Sequence, residues 1–216
     1  INIDLIYGLP KQTPENFART VEEVISLQPD RLSVFNYAHL PERFMPQRRI
    51  NSHELPSPAQ KLQMLQRTIE QLTAAGYRYI GMDHFALPDD ELAIAQEEQT
   101  LQRNFQGYTT HGHCDLIGLG VSAISQIGDL YCQNNSDLNQ YQNTLAAAQL
   151  ATSRCRVCNA DDRLRRAVIQ QLICNFSLEF AEIEQAFNID FQGYFGALWP
   201  QLQGMANDGL IKLERE

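Results

Sequence analysis

The first 38 residues restrict the fold more than any other part of the chain. Ile1–Tyr7 sets Ile, Leu and Ile around a single acid, Asp4, the pattern of a strand buried on both faces in a parallel sheet. Gly8-Leu9-Pro10 ends it. Thr13 is a good N-cap with Pro14 at the first helical position, and Phe17, Val21, Val24 and Ile25 then share one face. Pro29-Asp30 stops the helix, and Arg31–Ala38 returns as a second strand. Strand, helix and strand in so short a span make a βαβ unit, right-handed by default, and an α/β fold class. Asp4 has two readings. It is a capping or sheet-edge aspartate, or one of the polar groups that line the active face of a β/α architecture.

A second region, Tyr77 to Gly128, carries the densest functional signal. It opens as an extended run, Tyr77–Met82, and passes through Pro88-Asp89-Asp90 into a polar helical segment. Asn104–Thr110 (NFQGYTT) then has the period of neither helix nor strand, and Asp115–Ser125 closes the region as an apolar, glycine-dotted segment. A polar, aromatic loop between two buried segments is expected to touch a ligand.

Between these regions, His39–Pro56 reads as a solvated loop, with Arg43, Arg48 and Arg49 as an alternative anion site. Ser57-Pro58 starts a helix whose apolar face is expected at Leu62, Leu65, Ile69 and Leu72, with Gly76 ending it. Asp137–Thr152 reads as helix and Ser153–Ala160 as a linker. Asp161-Asp162 caps a set of short helices that ends in a strand at Gly209–Leu213. The expected domains are therefore 1–152, a linker at 153–160, and a small winged-helix-like helical domain over 161–216.

A net charge of −9, with nine acidic against five basic residues from Asp161 onward, argues against a nucleic-acid surface. No apolar run approaches the ~20 residues of a membrane span. Five cysteines, an odd number, predict reduced thiols and a cytoplasmic protein. Cys155-x-x-Cys158 stands alone, too few thiolates for a zinc site. Gly118–Ala123 matches the weak form of the dinucleotide fingerprint, but Gly128 interrupts the helix a Rossmann turn needs. His111, His113 and Cys114 lie too close in sequence to converge readily on one metal. His84, beside Asp83, reads either as an acid–base partner or as a hydrogen-bonded structural histidine.

Taken together, INIDLIYGLPKQTPENF, FNYAHLP, YIGMDHFALPDDELA, LQRNFQGYTT and DLIGLGVSAISQIGD resemble the oxygen-independent coproporphyrinogen III oxidases, radical S-adenosylmethionine enzymes of heme synthesis. The match is dense from Ile1 to about Asn134 and continues through LICNF. The resemblance implies the C-terminal part of an incomplete (β/α)6 barrel followed by a helical domain, with Ile1–Tyr7 and Arg31–Ala38 as the last barrel strands. It implies that Asp4 and Ala38 contact the S-adenosylmethionine that is cleaved. It also implies that Ile6, Phe105, Gln106 and Ile124 line a second S-adenosylmethionine. The residue types suit this: Asp4 for ribose hydroxyls or an ammonium, Gln106 as paired donor and acceptor, the others as apolar walls. The implied reaction converts two propionates of coproporphyrinogen III to vinyl groups by oxidative decarboxylation, giving protoporphyrinogen IX. In it a [4Fe–4S] cluster splits S-adenosylmethionine and the adenosyl radical abstracts hydrogen.

The chain departs from the family in lacking its C-x3-C-x2-C cluster run, so no metal ligands are assigned. The strand-like opening and the unpaired strand at the end predict a fragment, inactive alone, whose exposed strand edges self-associate. The expected partner is a small molecule, coproporphyrinogen III, with neither nucleic acid nor membrane. A heme-chaperone-like relative that binds heme without oxidase activity is the alternative reading, and a Rossmann-type dinucleotide-binding protein a distant one.

Overall fold

A computed structural model of the chain describes residues 1–214. They fall into two compact units, Ile1–Gly112 and a second running on from His113. The first contains β1 (Asn2–Tyr7), α1 (Pro14–Ser26), β2 (Arg31–Asn36), α2 (Pro58–Ala74), β3 (Arg78–Gly81), β4 (His84–Ala86), α3 (Glu91–Glu97), β5 (Gln102–Asn104) and β6 (Gly107–Thr109). β1 and β2 pair in parallel from Asn2↔Arg31 to Tyr7↔Asn36, so the βαβ reading holds. The helix between them begins where Thr13 predicts. Its hydroxyl accepts from the Asn16 amide, and the Asn16 side chain accepts in return from the Thr13 amide.

The sheet is mixed, in the order β1-β2-β4-β3, because the β3–β4 hairpin adds two antiparallel strands beside β2. One face packs on α1 and α2 around Phe17, Val21, Leu32, Val34, Met64, Leu72 and Phe85. The buried stripe of α2 is Met64, Thr68 and Leu72, while Leu62 is exposed and Leu65 and Ile69 lie at the margin. Thr68 can enter the core because its hydroxyl donates to the Met64 carbonyl at 2.8 Å, which leaves its methyl to pack. A reading by polarity alone misses this, and so rotates the face towards Leu62.

The second unit contains β7 (Ile124–Ile127), β8 (Leu130–Asn134), α4 (Leu138–Ala146), β9 (Thr152–Val157), α5 (Ala160–Asn175), α6 (Phe180–Phe187), α7 (Phe191–Tyr194) and α8 (Trp199–Asn207). Its antiparallel sheet, β7-β8-β9, is absent from the sequence reading. Gly128 at φ 55° supplies the turn residue between Ile127 and Leu130. The expected linker at 153–160 is mostly strand β9, paired with β8. The expected helix to Thr152 stops at Ala146, and Ala148 turns back at φ 54°.

Asp115–Ser125, expected to be buried, instead exposes Ile117 and Leu119, the latter at 87%. Leu164, Ile183, Phe191 and Phe195 form the helical core, with Phe180 stacked on Phe191 at 4.2 Å. Asn159, rather than the acidic pair after it, caps α5, with Asp162 closing the capping box. Gly209–Leu213 forms no strand.

Strand pairing also changes the cysteine picture. Cys132 of β8 and Cys155 of β9 lie directly opposite, 4.2 Å apart at Cα, and form a disulfide. The expectation of five reduced thiols fails for this pair, because partners 23 residues apart meet only through the sheet. Cys114, Cys158 and Cys174 take no part in a disulfide. Among the described residues, no helix is long and apolar enough to cross a membrane.

Candidate functional site

Strand alternation splits the side chains of the first sheet into two sets. Ile3, Leu5 and Tyr7 of β1, Leu32 and Val34 of β2, and Phe85 of β4 join the core. The opposite face carries Asp4 and Ile6, Ser33 and Phe35, and His84. Register aligns them: Asp4 opposes Ser33, Ser33 opposes His84, and Ile6 opposes Phe35. Asp4, Ser33 and His84 thus form a polar row across three strands, edged by two apolar residues, Ile6 at 45% and Phe35 at 38% exposure.

The β5–β6 hairpin borders this face. Phe105 and Gln106 form its two-residue turn between the paired Asn104 and Gly107, where an irregular loop is expected from sequence. The Asn104 side chain makes the turn by accepting from the Gln106 amide at 2.8 Å. Phe105 is 58% exposed and Gln106 is also exposed, so the turn presents an aromatic ring and an amide outward. Two residues on, Tyr108 meets the His84 ring edge-on at 5.4 Å, and Phe35 also meets it edge-on at 6.0 Å. Arg103, paired across the hairpin with Tyr108, holds its guanidinium 5.6 Å from that ring's centre.

His84 is set by a tight turn. Met82 takes φ 50°, its carbonyl accepts from the Tyr79 hydroxyl, and the Asp83 carbonyl accepts from the Val34 amide at 2.7 Å. His84 neither bonds Asp83 nor satisfies its own ring, since its Nδ1 is buried without a partner. Burial pushes its pKa below the usual value, Asp83 and Asp4 oppose that shift, and Arg103 adds to it. Neither of the two roles expected for this histidine from sequence describes that geometry.

At the C-terminal ends of β1 and β2, Gly8 turns at φ 89° beside the side chains of Asn36 and Lys61. The Lys61 ammonium donates to the Tyr37 carbonyl at 3.0 Å. Ala38 follows, exposed, its carbonyl accepting from the Gln47 side chain at 3.1 Å. The Arg43, Arg48 and Arg49 cluster does not converge: Arg48 donates to the Pro41 carbonyl, and Arg43 lies over Phe44.

Asp4 and Ile6 therefore share one face of the sheet, Phe105 and Gln106 form the turn of the hairpin beside it, and Ala38 lies just past β2. Ile124 is a half-buried residue of β7 in the second unit. Ser33, Phe35, Arg103 and Tyr108 were not singled out from sequence. Continuing the alternation from Asp4 into RLSVFN would have found the first two.

For an iron–sulfur cluster the residues do not fit. Among the described residues, no group of three or more His, Cys, Asp or Glu side chains is placed to hold a metal. Gly118–Ala123 leads into strand β7 instead of a helix, which removes the Rossmann alternative.

The HemN C-terminal domain family model matches residues 159–216. The oxygen-independent coproporphyrinogen III oxidase of Pseudomonas aeruginosa is 76% identical over 214 residues, covering 99% of this chain and 46% of that protein. The Escherichia coli K12 protein of the same name is 56% identical over 215 residues, covering 100% and 47%. That of Thermostichus vulcanus is 49% identical over 217 residues, covering 100% and 67%. A solved structure of coproporphyrinogen III oxidase (HemN) from Escherichia coli, described as a radical SAM enzyme, superposes with a TM-score of 0.95 at 56% identity. It is matched over 99% of this chain and 49% of its own length. The chain spans about half the length of most of these relatives.

Proposed function

From the premise that this chain belongs to the family of oxygen-independent coproporphyrinogen III oxidases, we propose that, at the full length of its relatives, it oxidatively decarboxylates coproporphyrinogen III to protoporphyrinogen IX. We assign Asp4 and Ala38 to the S-adenosylmethionine that reacts, and Ile6, Phe105, Gln106 and Ile124 to a second one. The observation that carries this reading is outward presentation of apolar and amide side chains. Ile6 and Phe105 stay exposed beside Asp4 and Gln106 while a well-filled core lies on the sheet's other face. That combination suits a ligand with an adenine face, hydroxyls and a charged amino-acid end.

When bound, S-adenosylmethionine supplies the hydrogen-abstracting chemistry. The chain's own residues bind and orient. The Asp4 carboxylate, joined by the Asn2 amide at 2.8 Å, accepts from hydroxyl or ammonium groups. The Gln106 side chain donates and accepts at once, and Ile6 and Phe105 cover apolar surface. The same reading includes the domain division 1–152 and 161–216, a cytoplasmic location and a small-molecule substrate. Net charge of −9 supports the absence of a nucleic-acid partner.

The test is decarboxylation of coproporphyrinogen III by the chain extended to the length of its relatives, reconstituted anaerobically, with Gln106→Ala beside it. We expect vinyl product from the parent. The variant should lose activity by roughly 10-fold or more, the worth of one or two buried hydrogen bonds, with cluster absorbance unchanged. No product from a fully reconstituted parent would overturn the function. Full activity in the variant would remove Gln106 from the site.

A further inference from the structure

We propose that His84 is a positioning residue of this site, its Nε2–H donating to a ligand carboxylate held between the polar row of the sheet and Arg103. The proposal rests on the reading above, since it supposes a carboxylate-bearing ligand on this face.

Three observations lead to it. First, among the described residues the ring has no hydrogen-bond partner, and Nδ1 is fully enclosed. A neutral imidazole carries one N–H and one lone pair. A proton on Nδ1 would enclose a donor with no acceptor, so the tautomer that leaves only a lone pair buried is favoured. Nε2 then carries the hydrogen, and it is the nitrogen left to meet a ligand.

Second, the ring is fixed without hydrogen bonds. Phe35 and Tyr108 each pack edge-on against it, and the Met82–Asp83 turn sets its backbone. A ring clamped by packing, with Nε2 left to donate, is pre-organised for a ligand acceptor.

Third, a cation lies beside the ring. Asp83, in the turn just before β4, acts on His84 as well as on Tyr7 and Tyr79. Asp4 lies two strands away along the row, about 9–10 Å at ordinary strand spacing. Arg103, held over Tyr108, is the cation on the His84 side. Ser33, between Asp4 and His84, adds a hydroxyl to the row. Donors from Ser33, His84 and Arg103 flanked by apolar Ile6 and Phe35 fit a carboxylate on an apolar body.

Two ligands bring such a group, the propionates of the substrate and the amino-acid end of S-adenosylmethionine. The experiment separates them. In the full-length chain, His84→Leu, His84→Gln and His84→Asn are compared for binding of coproporphyrin III, of its tetramethyl ester and of S-adenosylmethionine. Gln carries an amide near the Nε2 position, whereas Asn carries one near Nδ1.

We expect His84→Leu to weaken one carboxylate ligand by about 10-fold or more, as losing a charge-assisted hydrogen bond does. His84→Gln should stay within about threefold of the parent and His84→Asn should behave like Leu. Loss confined to coproporphyrin III, with its ester unaffected, assigns the substrate propionate. Loss confined to S-adenosylmethionine assigns the cofactor carboxylate.

The Leu variant should melt at or above the parent temperature, because it removes an unmatched buried nitrogen. Unchanged affinities in His84→Leu, equal losses in Leu and Gln, or a Leu variant that melts lower or fails to fold would each overturn the proposal in favour of a structural histidine. Binding is read without turnover. An inactive parent would therefore sink the oxidase reading and leave the His84 result standing by itself.

Discussion

Asp90 joins two functions whose weights can be separated by substitution. Its Oδ1 accepts from the Leu92 amide at 2.8 Å and caps α3, while its Oδ2 takes the Arg31 Nε at 2.6 Å. The carboxylate side chain is 8% exposed and Arg31 is 32% exposed, with a second bond from Arg31 to Glu91 at 2.7 Å. Asp90→Ala removes the cap, about 1 kcal/mol. It also removes one of two anions on Arg31, a pair that reaches solvent through the partly exposed guanidinium and is worth about 0.5–1 kcal/mol after solvent screening. The 3–5 kcal/mol typical of breaking a buried pair does not apply, because Arg31 keeps Glu91 and reaches solvent. The expected loss is about 1.5–2 kcal/mol. Asp90→Asn keeps a good cap and should lose only the ionic part, about 0.5–1 kcal/mol. Urea unfolding followed by far-UV circular dichroism measures both, as shifts in midpoint at constant slope. Equal losses in the two variants would show that the cap contributes nothing and would refute this division.

Gly8→Ala should cost about 1–2 kcal/mol in the same assay, because φ is 89° and the new methyl would lie 2.8 Å from Lys61 Cε; an unchanged midpoint would mean that the turn relaxes freely. Burial holds the His84 pKa below 6.5. The unfolded chain therefore binds the proton first, so stability should be full above about pH 6.5 and fall as pH drops through the native value. His84→Gln should flatten that part of the stability curve, and parallel curves for parent and variant would refute it. Anaerobic addition of iron and sulfide to the 216-residue chain should give no stoichiometric cluster chromophore, because the described residues hold no ligand group of three; a stable [4Fe–4S] spectrum would overturn that.

Local signals were strongest where one segment carries its own instructions. Thr13-Pro14 and Ser57-Pro58 start helices at the expected residues, because a cap and a following proline act within a single turn. Ile1–Tyr7, expected to be buried on both faces, instead packs only Ile3, Leu5 and Tyr7 into the core and leaves Asp4 and Ile6 exposed on the other face; the ordered motifs were enough for the family. What the sequence left open depends on distant partners. Cys132 meets Cys155 only through β8–β9 pairing, and Thr68 enters the core only because its own helix satisfies its hydroxyl. His84 shows the division most clearly. Its neighbours in sequence suggest a hydrogen-bond partner in Asp83, yet Asp83 lies in the turn before β4 and the His84 Nδ1 has no partner. Phe35, Tyr108 and Arg103, from three other strands, make its surroundings. Covalent neighbours determine backbone conformation, whereas the field and packing around a side chain come from whatever the sheet register brings beside it.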